Sequence, residues 1–225
     1  MLGIGLLIAF VGGGSAVARF WLPRVRPLVR GYVGAAMGLL LFLWLPVLWA
    51  YVGCFDARAH WLALATMAAL VGAAFVTRDR RAALRFGEED RRVLRTALCV
   101  VVPLVILAGY LEYTHSIRPA SDGGYHVGQS TYGDLSLHLA VATSIVGAKF
   151  PLQNSLMLGA TMAYPYLADS FASSLLVFGM ELPAAMTVTG TILCAMVFWG
   201  YALLCAQLCK RRGAMVLAVC LLFLN

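Results

Sequence analysis

One stretch of this sequence concentrates side chains able to move protons or hold a charged ligand. Between Thr114 and Tyr166 stand three of its four histidines, His115, His126 and His138, together with Asp122 and Asp134, and Asp169 follows just beyond. The run Ser121-Asp122-Gly123-Gly124-Tyr125-His126 leads on to Thr131-Tyr132-Gly133-Asp134-Leu135-Ser136-Leu137-His138-Leu139. Its glycines permit tight turns ahead of a helix expected to begin near Asp134. On that helix Asp134 and His138 lie four residues apart on one face, their Cβ atoms roughly 6 Å apart, so both can act on one ligand. An aspartate in the first turn feels the positive end of the helix dipole, which favours its ionised form and suits it to accept a proton or hold a cation. The residue types equally allow Asp134 to cap the helix while His138 packs at an interface with its ring partly wet.

His115, His126, Asp134 and His138 are enough ligands for one zinc ion, but no H-E-x-x-H or similarly compact signature joins them, and a zinc hydrolase is the weaker reading. Further along, Lys149-Phe150-Pro151-Leu152-Gln153-Asn154 and Ala163-Tyr164-Pro165-Tyr166-Leu167-Ala168-Asp169 alternate aromatics and prolines with hydrogen-bonding side chains. Such surfaces stack on sugar rings. They also furnish the aromatic belt that membrane proteins carry at the interface, and residue type alone favours the belt.

What positions these residues is a chain made for lipid. Hydrophobic residues make up 62% of it and the mean hydropathy is +0.86, against roughly 45–50% apolar residues in soluble domains. Apolar stretches near 2–18, 33–53, 60–77, 97–113, 184–208 and 214–225 each approach the roughly 20 residues that a crossing helix needs. The expected fold is therefore all-α, a polytopic transmembrane helical bundle of about six spans. A cleaved signal peptide ending at Ala16-Val17-Ala18 is disfavoured, because no basic segment precedes the first apolar run. Cys99, Cys194, Cys205, Cys209 and Cys220 fall inside apolar runs and only Cys54 lies near an outer loop, which is no disulfide framework. Arginine outnumbers lysine 15 to 2, a bias that points to a G+C-rich, bacterial genome.

Charge sets the orientation. Of the 17 bases, 14 lie in three segments: Arg19, Arg24, Arg26 and Arg30; Arg78, Arg80, Arg81, Arg85, Arg91, Arg92 and Arg95; and Lys210-Arg211-Arg212. Short basic loops stay in the cytoplasm, so the loops holding Arg58, Arg118, Lys149 and most of the aspartates face outward. The formal charge of +7 thus encodes topology, with no exposed basic patch that would indicate nucleic acid. Parity then requires one crossing between the outer segment and Lys210. The apolar stretch 164–180 is accordingly expected to lie in or dip into the interface, with a break at Gly179 to Pro183 ahead of the true span. The organisation expected is four spans over 1–113, an outer loop with juxtamembrane helices and the active site over 114–183, and two further spans over 184–225. The apolar ending at Leu221-Leu222-Phe223-Leu224-Asn225 suggests the front part of a longer protein.

The order Tyr132-Gly133-Asp134-Leu135-x-Leu137-His138-Leu139, then x-Phe-Pro-x-x-Asn at 149–154, then Tyr164-Pro165-Tyr166-Leu167-x-Asp169 before an apolar helix resembles the GT-C superfamily of polytopic glycosyltransferases. The resemblance covers about residues 110–205. It implies transfer of a sugar from a polyprenyl-phosphate carrier to an acceptor on the extracytoplasmic face of a bacterial plasma membrane. It implies Asp134 as the catalytic acid of the first large outer loop, a first juxtamembrane helix at 134–148 and a later one at 164–180. Asp122, His126 and His138 would orient sugar or phosphate, Asn154, Tyr164 and Asp169 would line the pocket, and Arg118 and Lys149 would meet the phosphate. A divalent cation, Mg or Mn, would be held by Asp134 and His138. Two departures stand against it: the family places its acidic loop after the first span, and its members are much longer. The rival expectations are a transporter or channel using an Asp/His relay, and an assembly subunit without chemistry.

Overall fold

A computed structural model describes residues 2–77, 85–128, 132–157, 159–209 and 211–224. The chain is an all-α bundle with one small hairpin: α1 Leu2–Trp21, α2 Pro27–Ala50, α3 Ala57–Val76, α4 Glu88–His115, β1 Ile117–Pro119, β2 Tyr125–Val127, α5 Tyr132–Ile145, α6 Leu167–Val177, α7 Leu182–Leu208 and α8 Arg212–Leu224. Five helices, α1 to α4 and α7, are long and apolar enough to cross a membrane. At about 1.5 Å per residue the shortest of them reaches the ~30 Å of a hydrocarbon core. Large apolar side chains such as Ile8 and Ile106 point outward, 66% and 67% exposed. A soluble fold would cover such surface, and lipid accounts for it.

Local signals explain the helix limits. Pro27 opens α2 with the φ a first turn needs. Asp56 caps α3, its carboxylate accepting from the Arg58 and Ala59 amides at 2.8 and 3.1 Å. Glu88, Glu89 and Asp90 sit in the first turn of α4, where the dipole favours acids. That start corrects the expected basic loop at 78–95: Arg91, Arg92 and Arg95 are on the helix, and Arg92 pairs with Glu88 one turn back. Arg78, Arg80, Arg81, Thr131 and Lys210 lie outside the described residues.

Glycine brings α1 and α2 together. A Cβ on Gly14 would run into the backbone of Gly34 and Gly38, and one on Gly38 into the backbone of Phe10 and Val11. The two helices thus pack backbone to backbone, as small residues four apart allow. Phe10, Phe42 and Phe171 then form an edge-to-face chain with centroids 5.5 and 5.6 Å apart, which joins α1 and α2 to α6. On the other side α4, α7 and α8 share a core of Ala97, Val101, Phe198, Ala202, Met215 and Val219.

The two ends of the bundle differ as the charge count requires. At one end Arg26 in the α1–α2 turn binds Asp90 of α4 at 2.9 Å, and Glu89, Arg211 and Arg212 line one small cavity. The three basic segments therefore share an end. At the opposite end the α2–α3 turn is hydrogen-bonded to the 147–150 segment, Phe55 N–H donating to Ala148 O at 2.7 Å and Phe150 N–H to Ala50 O at 3.2 Å.

The non-spanning helix is shorter than expected, 11 residues against the stretch 164–180, or about 16 Å along its axis. Pro165 holds Tyr164 out of the helical region, and Gly179 at φ +77° ends the segment. α6 does not float at a surface. Ser170 through Leu175 are all buried among α1, α2, α5 and α7, and the serine hydroxyls back-bond to carbonyls inside the bundle. α5 covers 132–145 rather than 134–148, so Asp134 is its third residue rather than its cap. Residues 214–224 of the apolar stretch expected at 214–225 lie in α8, whose 13 residues make about 20 Å. The hairpin was not expected. Its strands pair Arg118 with His126 around a turn in which Asp122 accepts the Gly124 amide at 3.0 Å and Gly123 takes φ +86°.

Candidate functional site

At the end away from the basic loops, α4, α5, α6 and α7 enclose a cavity of about 570 Å³. Its polar lining is Glu112 and Ser116 from α4 and the residue after it, Asp134 and His138 from α5, Asp169 from α6, and Thr189 from α7. Three expected site residues, two from α5 and one from α6, therefore line one cavity. The helices converge because Ser173 of α6 donates to the Ala142 carbonyl of α5 at 2.7 Å, a contact only a small side chain permits.

The central contact is between His138 Nδ1 and Asp169 Oδ1, 2.9 Å apart. Asp169 is only 5% exposed, and its second oxygen, Oδ2, is buried without a hydrogen-bond partner among the described residues. Burial raises the Asp169 carboxyl above the usual carboxylate range, while the hydrogen bond and charge of His138 pull it back down. Thr189 Oγ1, in the same cavity wall, is likewise buried and unpartnered. Buried polar atoms are nearly always satisfied, so two such orphans beside one cavity point to a polar ligand or water there. The Tyr164 ring stands edge to face with His138 at 5.9 Å. Asp134 faces the cavity from the solvent side, and among the described residues no hydrogen bond occupies its carboxylate.

A stability test follows from the pair. A carboxyl whose folded value is raised binds its proton more tightly folded than unfolded, so stability falls as pH rises through the interval between the unfolded and folded values. His138→Ala removes both influences that hold Asp169 down and widens that interval upward. The variant is expected to be more destabilised relative to wild type at about pH 7 than at about pH 4, with Asp169→Asn in the same background restoring much of the loss. Thermal unfolding at the two pH values checks it, and a pH-independent difference counts against it.

The remaining expected residues stand outside this lining. Asp122 and His126 are exposed on the hairpin, with Asp122 occupied in its turn. Asn154 accepts the Leu156 and Met157 amides at 2.9 and 3.1 Å and so shapes its own loop. Arg118 and Lys149 are exposed. Apart from His138, every titratable group of the lining is an acid. Sequence reading missed Glu112, Ser116, Thr189 and Gly190. Gly190 matters because a Cβ there would stand 2.8 Å from the Glu112 carboxylate, so its absence lets Glu112 lie against α7. A second, mostly apolar cavity of about 470 Å³ between α4, α7 and α8 shares Glu112 and Ser116 with the first.

Asp134 and His138, the pair expected to hold a divalent cation, supply two donors. No group of three His, Cys, Asp or Glu able to hold a metal occurs among the described residues.

No family model matches the chain, and no curated protein or solved structure shows significant similarity to it. Fold and cavity define its class: an all-α, polytopic integral membrane protein with an acid-rich cavity among its helix ends.

Proposed function

We propose that this protein transfers a sugar from a polyprenyl-phosphate carrier to an acceptor hydroxyl on the extracytoplasmic face of a bacterial plasma membrane. The observation that carries the reading is the convergence of Asp134, His138 and Asp169 in one cavity, since these are the residues that the GT-C-like motifs single out. The adjoining apolar cavity supports sideways approach of a lipid carrier from the bilayer, with its head toward Glu112 and Ser116. Asp134 is the carboxylate that meets the acceptor hydroxyl and the positive charge developing at the reacting carbon. Among the described residues the lining carries no Arg or Lys, so the phosphate is met at the rim, by Arg118 or Lys149, or arrives with Mg or Mn. The test is sugar transfer from a polyprenyl-phosphate donor in membranes, wild type against Asp134→Asn, with and without a chelator.

A cation or proton relay is the second reading. Glu112 favours it, being a carboxylate on a spanning helix that lines both cavities. Proton or cation flux in liposomes that disappears in Glu112→Gln, without sugar transfer in either protein, decides for it.

Either reading uses the same topology. In a cysteine-free background, a thiol at Ser121 is expected to react with an impermeant reagent added outside intact cells, and one at Arg24 only after permeabilisation. The reverse pattern inverts the orientation.

A further inference from the structure

We propose that His138 is the group that takes the proton of the acceptor hydroxyl and that Asp169 is its positioning residue. The proposal rests on the sugar-transfer reading and goes beyond it by assigning the proton to a different group from the acid that the sequence motif singles out.

The geometry carries the assignment. With Asp169 ionised, its carboxylate can only accept hydrogen bonds, and in that state the 2.9 Å contact at Asp169 Oδ1 takes the ring hydrogen of His138 on Nδ1. In the neutral ring Nε2 is then a bare lone pair, and His138 lines the cavity with about a third of its side chain, 35%, accessible. Asp169 is well suited to hold the ring. It belongs to a helix buried from Asp169 through Leu175, pinned to α5 by Ser173 and to α2 by Phe171. The Tyr164 ring closes another side of the imidazole. Asp134, by contrast, is water-exposed and has no hydrogen bond to its carboxylate among the described residues. An imidazole suits proton transfer near neutral pH better than a solvated carboxylate does. The arrangement of buried acid, oriented imidazole and free Nε2 is the one by which hydroxyl groups are activated on unrelated folds.

The step balances without a further reactant. The acceptor oxygen forms a bond to the anomeric carbon, and the bond from that carbon to the phosphate oxygen breaks with its electron pair going to the phosphate. The hydroxyl proton moves to Nε2, and the imidazolium so formed is held by the Asp169 carboxylate. Asp134 faces the sugar and stabilises the positive charge on its ring. The proton leaves His138 to water once product departs.

The test uses the full-length protein. Imidazole nitrogen NMR of the purified, detergent-solubilised chain is expected to show His138 with Nδ1 protonated and Nε2 bare, and a mixture of tautomers in Asp169→Asn. In the transfer assay His138→Gln is expected to lose about 10²–10⁴-fold in kcat. It should also lose the limb of the pH–rate profile assigned to the base. The groups facing the ring, whose titration must be separated from it, are Glu112 on α4, Asp134 on α5, Asp169 on α6 and Tyr164 ahead of α6. Asp169→Asn is expected to lower kcat less than His138→Gln with KM unchanged, and the double variant to be no worse than His138→Gln, as for residues acting as one unit. Asp169→Glu, which keeps the charge, is expected to recover part of the rate and guards against a mere folding defect. An active His138→Gln, additive losses in the double variant, or a bare Nδ1 in wild type overturns this proposal alone. A wild type that transfers no sugar overturns the sugar-transfer reading and this proposal together.

Discussion

Asp134→Asn is expected to leave the fold intact and, under the proposed sugar transfer, to remove most of the activity. The carboxylate is the third residue of α5, faces the cavity, and has no hydrogen bond among the described residues that its loss would break. With no side-chain partner among the described residues, its charge is what the substitution takes away. Whether that charge accepts a proton or stabilises the positive charge on the sugar, contributions of these kinds are worth about 10²–10⁴-fold in rate. A helix-capping role predicts something else. Asn caps about as well as Asp, so capping leaves rate and stability near wild type in the same variant. The measurement is transfer from a polyprenyl-phosphate donor in membranes with matched expression, together with the unfolding temperature. A normal rate returns Asp134 to a structural role, and an inactive protein with a lowered unfolding temperature reports damage to the fold.

The largest stability effect is expected at Gly38. A Cβ there meets the Phe10 carbonyl and the Val11 backbone, which, unlike a side chain, cannot rotate away. Gly38→Val must push α1 from α2 and strip contacts from the Phe10–Phe42–Phe171 chain that supports α6. Overpacking of a tight core costs about 1–3 kcal/mol, and backbone-on-backbone collision belongs at or above the top of that range. Gly5, on α1, has nothing within 4 Å of its Cβ direction. Gly5→Ala is therefore expected to be neutral or to gain up to about 1 kcal/mol of helix propensity. Thermal unfolding in detergent compares the two, and equal effects would show that α1 and α2 do not pack as described. Because α6 carries Asp169, Gly38→Val should also weaken the His138–Asp169 contact from a distance.

Element type and membrane character were legible because lipid imposes them: every backbone polar group in the bilayer must be bonded within its own helix, so a long apolar run has one outcome. The basic segments encoded which loops share an end, and the Arg26–Asp90 contact and the Glu89, Arg211 and Arg212 cavity place them together as the count required. The same parity ruled out a crossing by the 164–180 stretch, and α6 is indeed too short to make one. Less legible were boundaries that turn on single residues. Pro165 and Gly179 trimmed α6 at both ends, and the acids Glu88 to Asp90 started α4 inside what reads as a loop.

The candidate site divides in the same way. Asp134 and His138 were visible as a pair because helical periodicity alone brings residues four apart to one face. Gly34 and Gly38 carried a comparable local signal, small residues four apart, for the α1–α2 contact. The bond between His138 and Asp169 spans 31 residues and no periodicity predicts it. Nor could sequence bring Glu112, Ser116 and Thr189 to the same cavity, or leave Asp122 in a hairpin turn and Asn154 in its own loop. Those outcomes depend on how close helices approach, which small residues such as Ser173 and Gly190 permit and only packing decides. By itself the sequence determined a helical, membrane-embedded chain with its polar chemistry at one end, because hydrophobicity and charge act locally and additively along a chain. The tertiary structure decided which acids surround the imidazole and which of its nitrogens meets Asp169, because that is settled by the fit of one buried helix against four others.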